Sequence, residues 1–402
     1  MKKILFISTL DIWSMGQKKG APSLWHTIRG YADNDWKVYF ITGNKNKESV
    51  YDIHKNIKIF RFDARWMKKL FKIKKIGFLM NILWWMYFQM KSFVIGYKIS
   101  KKEKINIFYA YEIAGVLSAK LLSILFNKPI VSRFQGTILA PLVNKKFWKI
   151  RFWQHILAFK IPVDLLIMTN DGTQGNEVLG QLNINMDKVK FWMNGINKDT
   201  DITNFDKEIF KKSLGIKKNQ KTILTVSRLE NWKRLDRIIK AMPEILKKYR
   251  NVKLLIIGDG AERKKLENLT EELKIQNYII FLGAIPHNEI KKYYQLADIF
   301  VSLYDLSNVG NPLLEAMINE KCIVTLNVGD TNKFIFNNQN GILLNKADLN
   351  KLPETIIKLL NNYKKHEDLG KRAKIFADKN FWTWKQRINA ELLETNKLIK
   401  NV

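Results

Sequence analysis

The sequence predicts an α/β protein with two doubly wound parallel sheets, and three observations support this prediction. Short runs of apolar and β-branched residues recur along the 402 residues and alternate with longer stretches of helical periodicity. The runs are apolar throughout, which is typical of parallel strands buried on both faces. A polar connector at residues 197–205 divides them into two series. We therefore expect two Rossmann-like domains, residues 1–198 and 199–382, that face each other across an interdomain cleft.

The predicted strands form one series in each half. The first series comprises residues 4–8, 38–42, 57–62, 107–111, 129–134, 165–169 and 189–193. The second comprises residues 222–227, 253–257, 279–282, 299–303, 322–326 and 341–344. Helices with a period of 3.6 separate many of the strands, as at 235–249 and 261–273. Because open α/β sheets bind ligands at the carboxyl ends of their strands, we expect functional residues in the loops that follow them.

Composition excludes several other classes of protein. With 46% hydrophobic and 26% charged residues, the chain is neither disordered nor fibrous. Its single cysteine, Cys322, excludes a disulfide framework and a cysteine-based zinc site, and fits a reducing cytoplasm. The apolar stretch at residues 4–7 is too short for a signal peptide. The net charge of +32 indicates an anionic partner: nucleic acid, a membrane surface or a phosphorylated substrate.

The distribution of charge favours a membrane surface. Residues 1–198 carry a net charge of +21, and eleven basic residues within 64–104 surround the uncharged run IGFLMNILWWMYFQM at 76–90. As a helix this run is about 22 Å long, too short for a hydrocarbon core of roughly 30 Å. A second segment, 145–160, interleaves Lys and Arg with Phe and Trp. Both segments suit peripheral contact with an anionic membrane, although core helices with solvated lysines are the alternative. No nucleic-acid-binding motif is evident.

Two loops of the second half suit phosphate. Ser227 and Arg228 follow the first strand, and Lys233 comes five residues later. A rigid guanidinium fork and a compact ammonium group both bind phosphate oxygens. Gly258 and Gly260 follow the next strand, where glycines allow a ligand to approach the backbone closely.

A third loop is the most specific. It contains Asp305, Ser307, Asn308, Val309, Gly310, Asn311, Leu313, Leu314 and Glu315. We expect Asn311 to cap a helix with Pro312 in its first turn, which would leave the amides of Leu313 and Leu314 free and pointing outward. Together with the helix dipole, those amides suit a diphosphate, and Glu315 suits ribose hydroxyls.

The order SRL-x3-K-x2-D, GDG and GNPLLEAM resembles the C-terminal half of family-4 retaining glycosyltransferases with the GT-B fold, glycosyl transferases group 1. In the first half, the loop with Gly16 and Gly20 is similar to the family's glycine-rich loop, and WMNGI at 192–196 resembles its domain closure. FWTW at 381–384 resembles the family's end, where a C-terminal helix, here 383–402, rejoins the first domain. The resemblance covers nearly the whole chain.

The resemblance implies roles for the residues of these loops. It implies catalytic roles for Arg228 and Lys233, which would stabilise charge on the leaving diphosphate. The implied donor site comprises Gly16, Gly20, Ser227, Gly258, Gly260, Ser307, Asn308, Val309, Gly310, Asn311, Leu313, Leu314 and Glu315. The implied transfer needs no protein nucleophile, because the diphosphate itself helps to deprotonate the acceptor hydroxyl.

Three positions depart from the family's pattern. Ser307 stands where the first glutamate of the E-x7-E pair would lie, and Asn308 replaces the usual following glycine, which leaves the donor sugar open. Asp305 is a candidate source of the missing carboxylate. Gln135, before Gly136, replaces the histidine of the family's HG turn, and it can hydrogen-bond a sugar or acceptor hydroxyl without taking a proton. We interpret these departures as specialisation, since the phosphate-binding residues are present.

These observations predict a glycosyltransferase that moves a sugar from a nucleotide-sugar donor to a lipid-linked or cell-surface glycan. We expect it to be cytoplasmic and peripheral on the inner face of the cell membrane. No metal or cofactor is expected, because the Asp-Asn-Asp triplet at 33–35 lies in a turn and the five histidines lack ligand spacing. The alternatives are a sugar-nucleotide epimerase of the same fold, against which Gln135 and Ser307 argue, and a non-catalytic basic membrane or nucleic-acid binder.

Overall fold

A computed structural model describes most of the chain as two compact units. The described residues are 1–10, 22–43, 54–64, 77–143, 145–199, 202 and 205–400. Unit 1 consists of Met1–Asn170, Gln174–Gly195 and Trp384–Val402, and unit 2 consists of Asp171–Thr173 and Ile196–Thr383. The sequence prediction divided the chain between 198 and 199 and between 382 and 383. The predicted glycine-rich loop with Gly16 and Gly20 lies outside the described residues.

Unit 1 is built on a sheet of seven strands in the order β3-β2-β1-β4-β5-β6-β7, all paired in parallel. The strands are β1 (Lys2–Ser8), β2 (Trp36–Thr42), β3 (Ile57–Arg61), β4 (Ile107–Tyr111), β5 (Ile130–Phe134), β6 (Leu165–Thr169) and β7 (Val189–Trp192). Its helices are α1 (Pro22–Asp33), α2 (Gly77–Glu103), α3 (Val116–Phe126), α4 (Trp148–Arg151), α5 (Trp153–Lys160), α6 (Gly175–Gln181) and the C-terminal α14 (Trp384–Lys400).

Unit 2 repeats this topology with six parallel strands in the order β10-β9-β8-β11-β12-β13. The strands are β8 (Lys221–Val226), β9 (Val252–Ile257), β10 (Ile279–Gly283), β11 (Ile299–Ser302), β12 (Cys322–Leu326) and β13 (Ile342–Leu344). The helices are α7 (Lys207–Ser213), α8 (Asp236–Lys248), α9 (Arg263–Glu272), α10 (His287–Leu296), α11 (Asn311–Ile318), α12 (Leu352–Asn361) and α13 (Tyr363–Asn380). In both units every predicted strand is present within two residues of its predicted bounds.

Helices cover both faces of the unit 1 sheet, which explains why its strands are apolar throughout. Leu5 and Ile7 of β1 pack into a cluster with residues of α2 and α3. Ile4 and Phe6, which alternate with them, pack with residues of α1 and α14 on the opposite face. The C-terminal helix is therefore part of the core of unit 1.

A buried ionic cluster also joins α14 to the sheet of unit 1. Glu391 accepts a hydrogen bond from Arg387 at 2.8 Å and lies 3.4 Å from Arg133 of β5, and all three side chains are fully buried. The Tyr109 hydroxyl donates to the same carboxylate at 2.7 Å. Glu391 thus separates two buried positive charges that would otherwise repel each other.

We expect Glu391→Ala to destabilise unit 1 by about 3–5 kcal/mol, because it leaves two buried arginines without their shared anion. Glu394→Ala on the same helix is the matched control, since Glu394 is partly exposed, pairs with Lys397 at 2.8 Å and with Lys190 of β7 at 3.9 Å, and its loss costs about 1 kcal/mol or less. Urea denaturation followed by tryptophan fluorescence measures both. Equal losses in the two variants would contradict this account of the cluster.

Candidate functional site

The reversal of strand order in unit 2 brings the loops after β8 and β11 together, because these two strands are neighbours in the sheet. The amide of Asp305 donates to the carbonyl of Trp232 at 3.0 Å, and the rings of Trp232 and Tyr304 meet edge to face at 6.1 Å between centroids. The sequence prediction placed two of its three phosphate loops here. The structure brings those two loops into contact.

Two cations of the β8 loop, Arg228 and Lys233, make no side-chain hydrogen bond or ion pair within the described parts of the chain. The Lys233 ammonium instead lies 4.0 Å from the ring centroid of Trp232 and 3.8 Å from that of Tyr304. The negative faces of these rings replace a counter-ion in part. Both cations therefore keep their hydrogen-bonding capacity for a ligand.

The environment of Lys233 disfavours its charge. Burial, reinforced by the positive charge of Arg228, lowers the pKa of Lys233 to about 7, although Asp171 opposes the shift. An anion placed between the two cations would stabilise the protonated lysine and raise its pKa again. This arrangement is suited to a ligand with at least one phosphate group.

Sequence reasoning missed Asp171, which follows β6 in the chain and belongs to unit 2. Burial raises the pKa of its carboxyl to about 7, despite hydrogen bonds from Thr173 and the charge of Lys233, which act in the opposite direction. The hydroxyl of Ser307 donates to the Asp171 carbonyl at 2.6 Å. The only available clue was the position of Asp171 after the carboxyl end of a strand, where ligand-binding residues concentrate.

Gly258 and Gly260 pack against the backbone of the β8 loop. A side chain at Gly258, which has φ +131°, would place Cβ 1.7 Å from the carbonyl oxygen of Ser227. At Gly260 it would lie 2.4 Å from the carbonyl oxygen of Leu229, whose amide donates to the Asp259 carbonyl at 3.0 Å. Contact between the two loops therefore requires these glycines, and their contact with a nucleotide stays a prediction.

The start of α11 differs from the prediction. Asn311 is the first helical residue, and Gly310 precedes it as the capping residue. The amides of Leu313 and Leu314 both donate to the Gly310 carbonyl, at 3.0 and 3.3 Å. The prediction that Asn311 caps the helix and that these two amides are free was wrong, because the helical hydrogen bonds begin one residue earlier.

The residues before Gly310 hold the loop together. The buried side chain of Asn308 accepts a hydrogen bond from the Tyr304 amide at 3.0 Å and donates to the Leu326 carbonyl at 3.1 Å. The Val309 amide donates to the hydroxyl of Ser307 at 3.1 Å. These contacts fix the loop between β11 and α11, and the predicted donor contacts of its residues stay predictions.

Glu315 is paired with a histidine that the sequence prediction left without a role. The Nε2 atom of His287, at the start of α10, lies 2.8 Å from Oε1 of Glu315. Burial opposes the charged imidazole, but the hydrogen bond and the negative charge of Glu315 outweigh it and raise the pKa of His287. The two residues are 28 positions apart, so no local pattern revealed the pair. Glu315 reaches any ligand with its orientation already set by His287.

Asp305 is engaged in ion pairs. Its two carboxylate oxygens lie 3.2 Å from Arg234 and 2.5 Å from Arg237, and Lys346 is 3.7 Å away. Burial alone would raise the pKa of Asp305, but the two arginines hold it below its usual value. Its suggested role as a substitute for the missing glutamate stays a prediction. Both oxygens of Asp305 already have partners in the structure.

In unit 1, Gln135 follows β5 and its side chain is held at both ends. Its amide nitrogen donates to the Tyr111 hydroxyl at 2.7 Å, and its oxygen accepts from Asn194 at 3.1 Å. Gly136 has φ +80°, a conformation that favours glycine and turns the chain after the strand. The predicted contact of Gln135 and Gly136 with a sugar or acceptor stays a prediction.

Unit 1 also has an extensive exposed apolar surface. On α2 the exposed apolar residues are Phe78, Leu79, Leu83, Met86, Met90, Val94 and Tyr97. From Leu79 onward they recur every three or four positions, which places them on one helical face. On α3, which packs against α2, they are Leu121, Ile124 and Leu125. We call this set of ten residues the α2–α3 apolar surface.

The helix that carries most of this surface is longer than the predicted apolar run. α2 has 27 residues and continues past residue 90 to Glu103. None of the helices in the described ranges combines the length and hydropathy needed to cross a membrane. Phe147 and Ile150, in the second predicted segment, are also exposed, at 65% and 66%.

Much of the second half of the chain is similar to a known family. Residues 206–376 match the family described as Glycosyl transferases group 1. An uncharacterised glycosyltransferase of Methanocaldococcus jannaschii is 35% identical over 179 residues, which are 44% of this chain and 46% of that protein. The alpha-monoglucosyldiacylglycerol synthase of Acholeplasma laidlawii is 29% identical over 168 residues, 42% of each chain. The chain thus spans less than half the length of these two relatives.

Solved structures match over the whole chain. Sucrose-phosphate synthase from Thermosynechococcus elongatus has a TM-score of 0.80 at 17% identity and covers 100% of both chains. Anabaena HepE in complex with UDP-glucose has a TM-score of 0.75 at 18% identity and covers 98% of this chain and 100% of its own. The predicted fold class, two doubly wound parallel units of the GT-B type, is confirmed.

We expect Lys233→Met to stabilise unit 2, and to do so more at pH 6 than at pH 9. The folded-state pKa of Lys233, about 7, lies below the unfolded value of about 10.4. Its destabilising effect is therefore complete below pH 7 and fades as the pH rises toward the unfolded value. Thermal unfolding measures the gain, about 1–2 kcal/mol at pH 6 after allowance for partial exposure to water.

Lys240→Met is the control for this variant. Lys240 is 62% exposed and lies 3.6 Å from Asp236 on α8, so its replacement changes stability by about 0.5 kcal/mol or less at both pH values. A gain from Lys233→Met that is the same at pH 6 and pH 9, or no gain, would show that Lys233 titrates as an ordinary lysine.

Proposed function

We propose that this chain, whose residues 206–376 match the family described as Glycosyl transferases group 1, is a retaining transferase with a nucleotide-sugar donor and a lipid-linked or cell-surface glycan acceptor. The observation that carries the proposal is the pair Arg228 and Lys233. They are two cations without an anionic partner in the described chain, in the loop at the carboxyl end of β8. A strand end at a topological switch point is where open α/β sheets bind phosphate-bearing ligands.

In the proposed reaction the bond between the sugar's anomeric carbon and the diphosphate oxygen breaks, and the diphosphate leaves with the electron pair. The acceptor hydroxyl forms the new bond on the same face of the sugar, and its proton passes to a leaving phosphate oxygen. Arg228 and Lys233 stabilise the charge that develops on that oxygen. In this proposal they do so without a metal ion or cofactor. The anomeric coupling constant of the product, measured by proton NMR, tests retention.

The choice of a nucleoside diphosphate sugar as donor has two further supports. Anabaena HepE, which shares the fold, was solved with UDP-glucose. In this chain Glu315 lies one turn into α11 and is oriented by His287, so its second carboxylate oxygen suits the two hydroxyls of a ribose.

The α2–α3 apolar surface supports a membrane location for the acceptor. The exposed Lys91 and Lys98 lie on α2 beside this surface, and Lys146 and Lys149 are exposed next to Phe147 in the second predicted segment. A second copy of this positively charged face would repel it, whereas anionic lipid headgroups attract the lysines and the acyl region accepts the apolar side chains. The name of the Acholeplasma laidlawii relative states that its product is a glucosylated diacylglycerol. We therefore propose a peripheral location on the cytoplasmic face of the cell membrane.

A thermal-shift panel of nucleotide sugars with UDP, GDP and dTDP tests the donor. We expect at least one to raise the melting temperature of the wild type, since ligand binding to the folded state stabilises it. Arg228→Ala should abolish that shift and lower kcat/KM by about 10²–10³, as removal of other transition-state charge donors does. Arg250→Ala, an exposed arginine of the same unit, is the control and should behave as wild type.

Three outcomes would contradict the donor proposal. They are a wild type that responds to no member of the panel, an Arg228→Ala variant that responds as the wild type does, and conversion of a nucleotide sugar into its epimer without any acceptor. The last would favour an epimerase of the same fold.

Sedimentation with lipid vesicles tests the membrane proposal. We expect the wild type to sediment with vesicles that contain phosphatidylglycerol and much less with pure phosphatidylcholine. The double variant Met86→Glu/Met90→Glu should lose about tenfold or more in vesicle affinity, because it places two carboxylates on the α2–α3 apolar surface. Leu393→Glu is the control, since Leu393 is 64% exposed on α14, across the sheet from α2. Equal binding to both lipids, or equal effects of the variants, refutes the proposed surface.

A further inference from the structure

We propose that Asp171 is a donor-binding residue whose carboxyl group accepts a hydrogen bond from a hydroxyl of the transferred sugar. The inference rests on the proposed function and extends it to the specificity of the same site. It starts from the position of residues 171–173, which follow β6 yet belong to unit 2, the unit that carries Arg228 and Lys233.

The segment 171–173 is firmly fixed to two loops of unit 2. The Ser307 hydroxyl donates to the Asp171 carbonyl at 2.6 Å, and the Asp330 amide donates to the Gly172 carbonyl at 2.9 Å. Gly172 has φ +73°, and a Cβ atom there would lie 2.5 Å from the Ser307 hydroxyl oxygen. Only glycine fits this approach, so the backbone that carries the Asp171 side chain has one defined position.

The Asp171 carboxyl has one oxygen in use and one available. Its Oδ1 atom accepts hydrogen bonds from the amide of Thr173 at 3.2 Å and from the Thr173 hydroxyl at 2.6 Å. In the part of the chain that the structure describes, Oδ2 has neither a hydrogen bond nor an ion pair. Asp171 is half-buried, so this oxygen is open to a ligand that donates a hydrogen bond.

The neighbouring charges determine which part of the donor this oxygen fits. Ser307, which holds the Asp171 backbone, belongs to the loop after β11, and that loop contacts the β8 loop of Lys233 through the hydrogen bond between Asp305 and Trp232. The charge of Lys233 accordingly opposes the effect of burial on the pKa of the Asp171 carboxyl. Arg228 and Lys233 attract the diphosphate, whereas a carboxylate repels it. The group bonded directly to the diphosphate is the sugar, whose hydroxyls donate hydrogen bonds. The open oxygen of Asp171 therefore suits the sugar.

Asp305, the other carboxylate considered for this role, is already engaged, because Arg234 and Arg237 bind both of its oxygens. Ser307, which stands where the sequence pattern called for a glutamate, uses its hydroxyl to hold the Asp171 backbone. Ser307 thus positions the segment, and Asp171 supplies the carboxyl group.

Asp171→Asn tests the inference with little change of shape. The two donors of Thr173 keep the amide oxygen at the position of Oδ1, so the amide NH2 group replaces Oδ2 and meets the sugar hydroxyl with a donor where it needs an acceptor. We expect UDP to bind the variant as tightly as the wild type or slightly more tightly. The additional affinity of the nucleotide sugar chosen by the panel should fall about 10- to 100-fold, as for hydrogen bonds to charged groups.

Isothermal titration with UDP and with that nucleotide sugar measures both quantities. Asp368→Asn, an exposed position on α13 with the same change of charge, is the matched control and should leave both affinities unchanged. Deoxy analogues of the sugar identify the hydroxyl: one should bind the wild type more weakly than the parent sugar, yet bind Asp171→Asn as well as the parent does.

The outcomes separate this inference from the proposed function. Equal losses for UDP and the nucleotide sugar, or no loss for either, overturn the role of Asp171 while the wild type still binds a nucleotide sugar. A wild type that binds no nucleotide sugar overturns the proposed function, and the Asp171 inference with it. UDP binding by Asp171→Asn also serves as the check that the variant is folded.

Discussion

The unpaired positive charge of Lys233 is the constraint on which the candidate site depends. A cation withdrawn from water normally acquires an anionic partner or loses its proton, and the low pKa of Lys233 shows the second tendency. Two features keep the group in place: the rings of Trp232 and Tyr304, and the contact between the β8 and β11 loops, which follows from the strand order. A phosphate ligand restores the charge, so part of its binding free energy comes from relief of this unfavourable state.

The charges around Lys233 show that its isolation is selective. Arg234 lies in the same loop as Lys233 and Arg237 lies in the first turn of α8, yet both are paired with Asp305. In a chain with a net charge of +32 there are too few carboxylates to pair with every cation. Near Lys233, the carboxylate of Asp305 pairs with the arginines that hold the two loops together. The cations left over lie where a ligand can reach them. The same division separates Asp305, which stabilises the loops, from Asp171, whose second oxygen has no partner in the described chain.

The local sequence pattern predicted most of the fold. The features that it missed depend on contacts between residues that are far apart in the sequence. The strands were predictable because a strand buried on both faces has to be apolar throughout, as in β5 and β9. Arg228 and Lys233 were predictable because they directly follow such a strand. The pairs His287–Glu315 and Arg133–Glu391 join residues 28 and 258 positions apart, and no periodicity encodes them. The error at Asn311 was smaller: a shift of one residue in the helix start placed the Leu313 and Leu314 amides inside the hydrogen-bonded turn.

The distinction between satisfied and unsatisfied groups separates structural from functional features in both units. Glu391 is fully buried with Arg387 and Arg133, so the charges of this cluster are paired within the interior of unit 1. The exposed apolar side chains of α2 are in contact with water, although their transfer to an apolar medium is favourable. Lys233 and the second oxygen of Asp171 are half-buried polar groups that make no ion pair in the described chain. The proposals give each of these groups a different partner: a lipid phase for α2, a phosphate for Lys233 and a sugar hydroxyl for Asp171. The proposed transfer of a sugar to a lipid-linked acceptor would provide all three, so that one function would account for features in separate parts of the sequence.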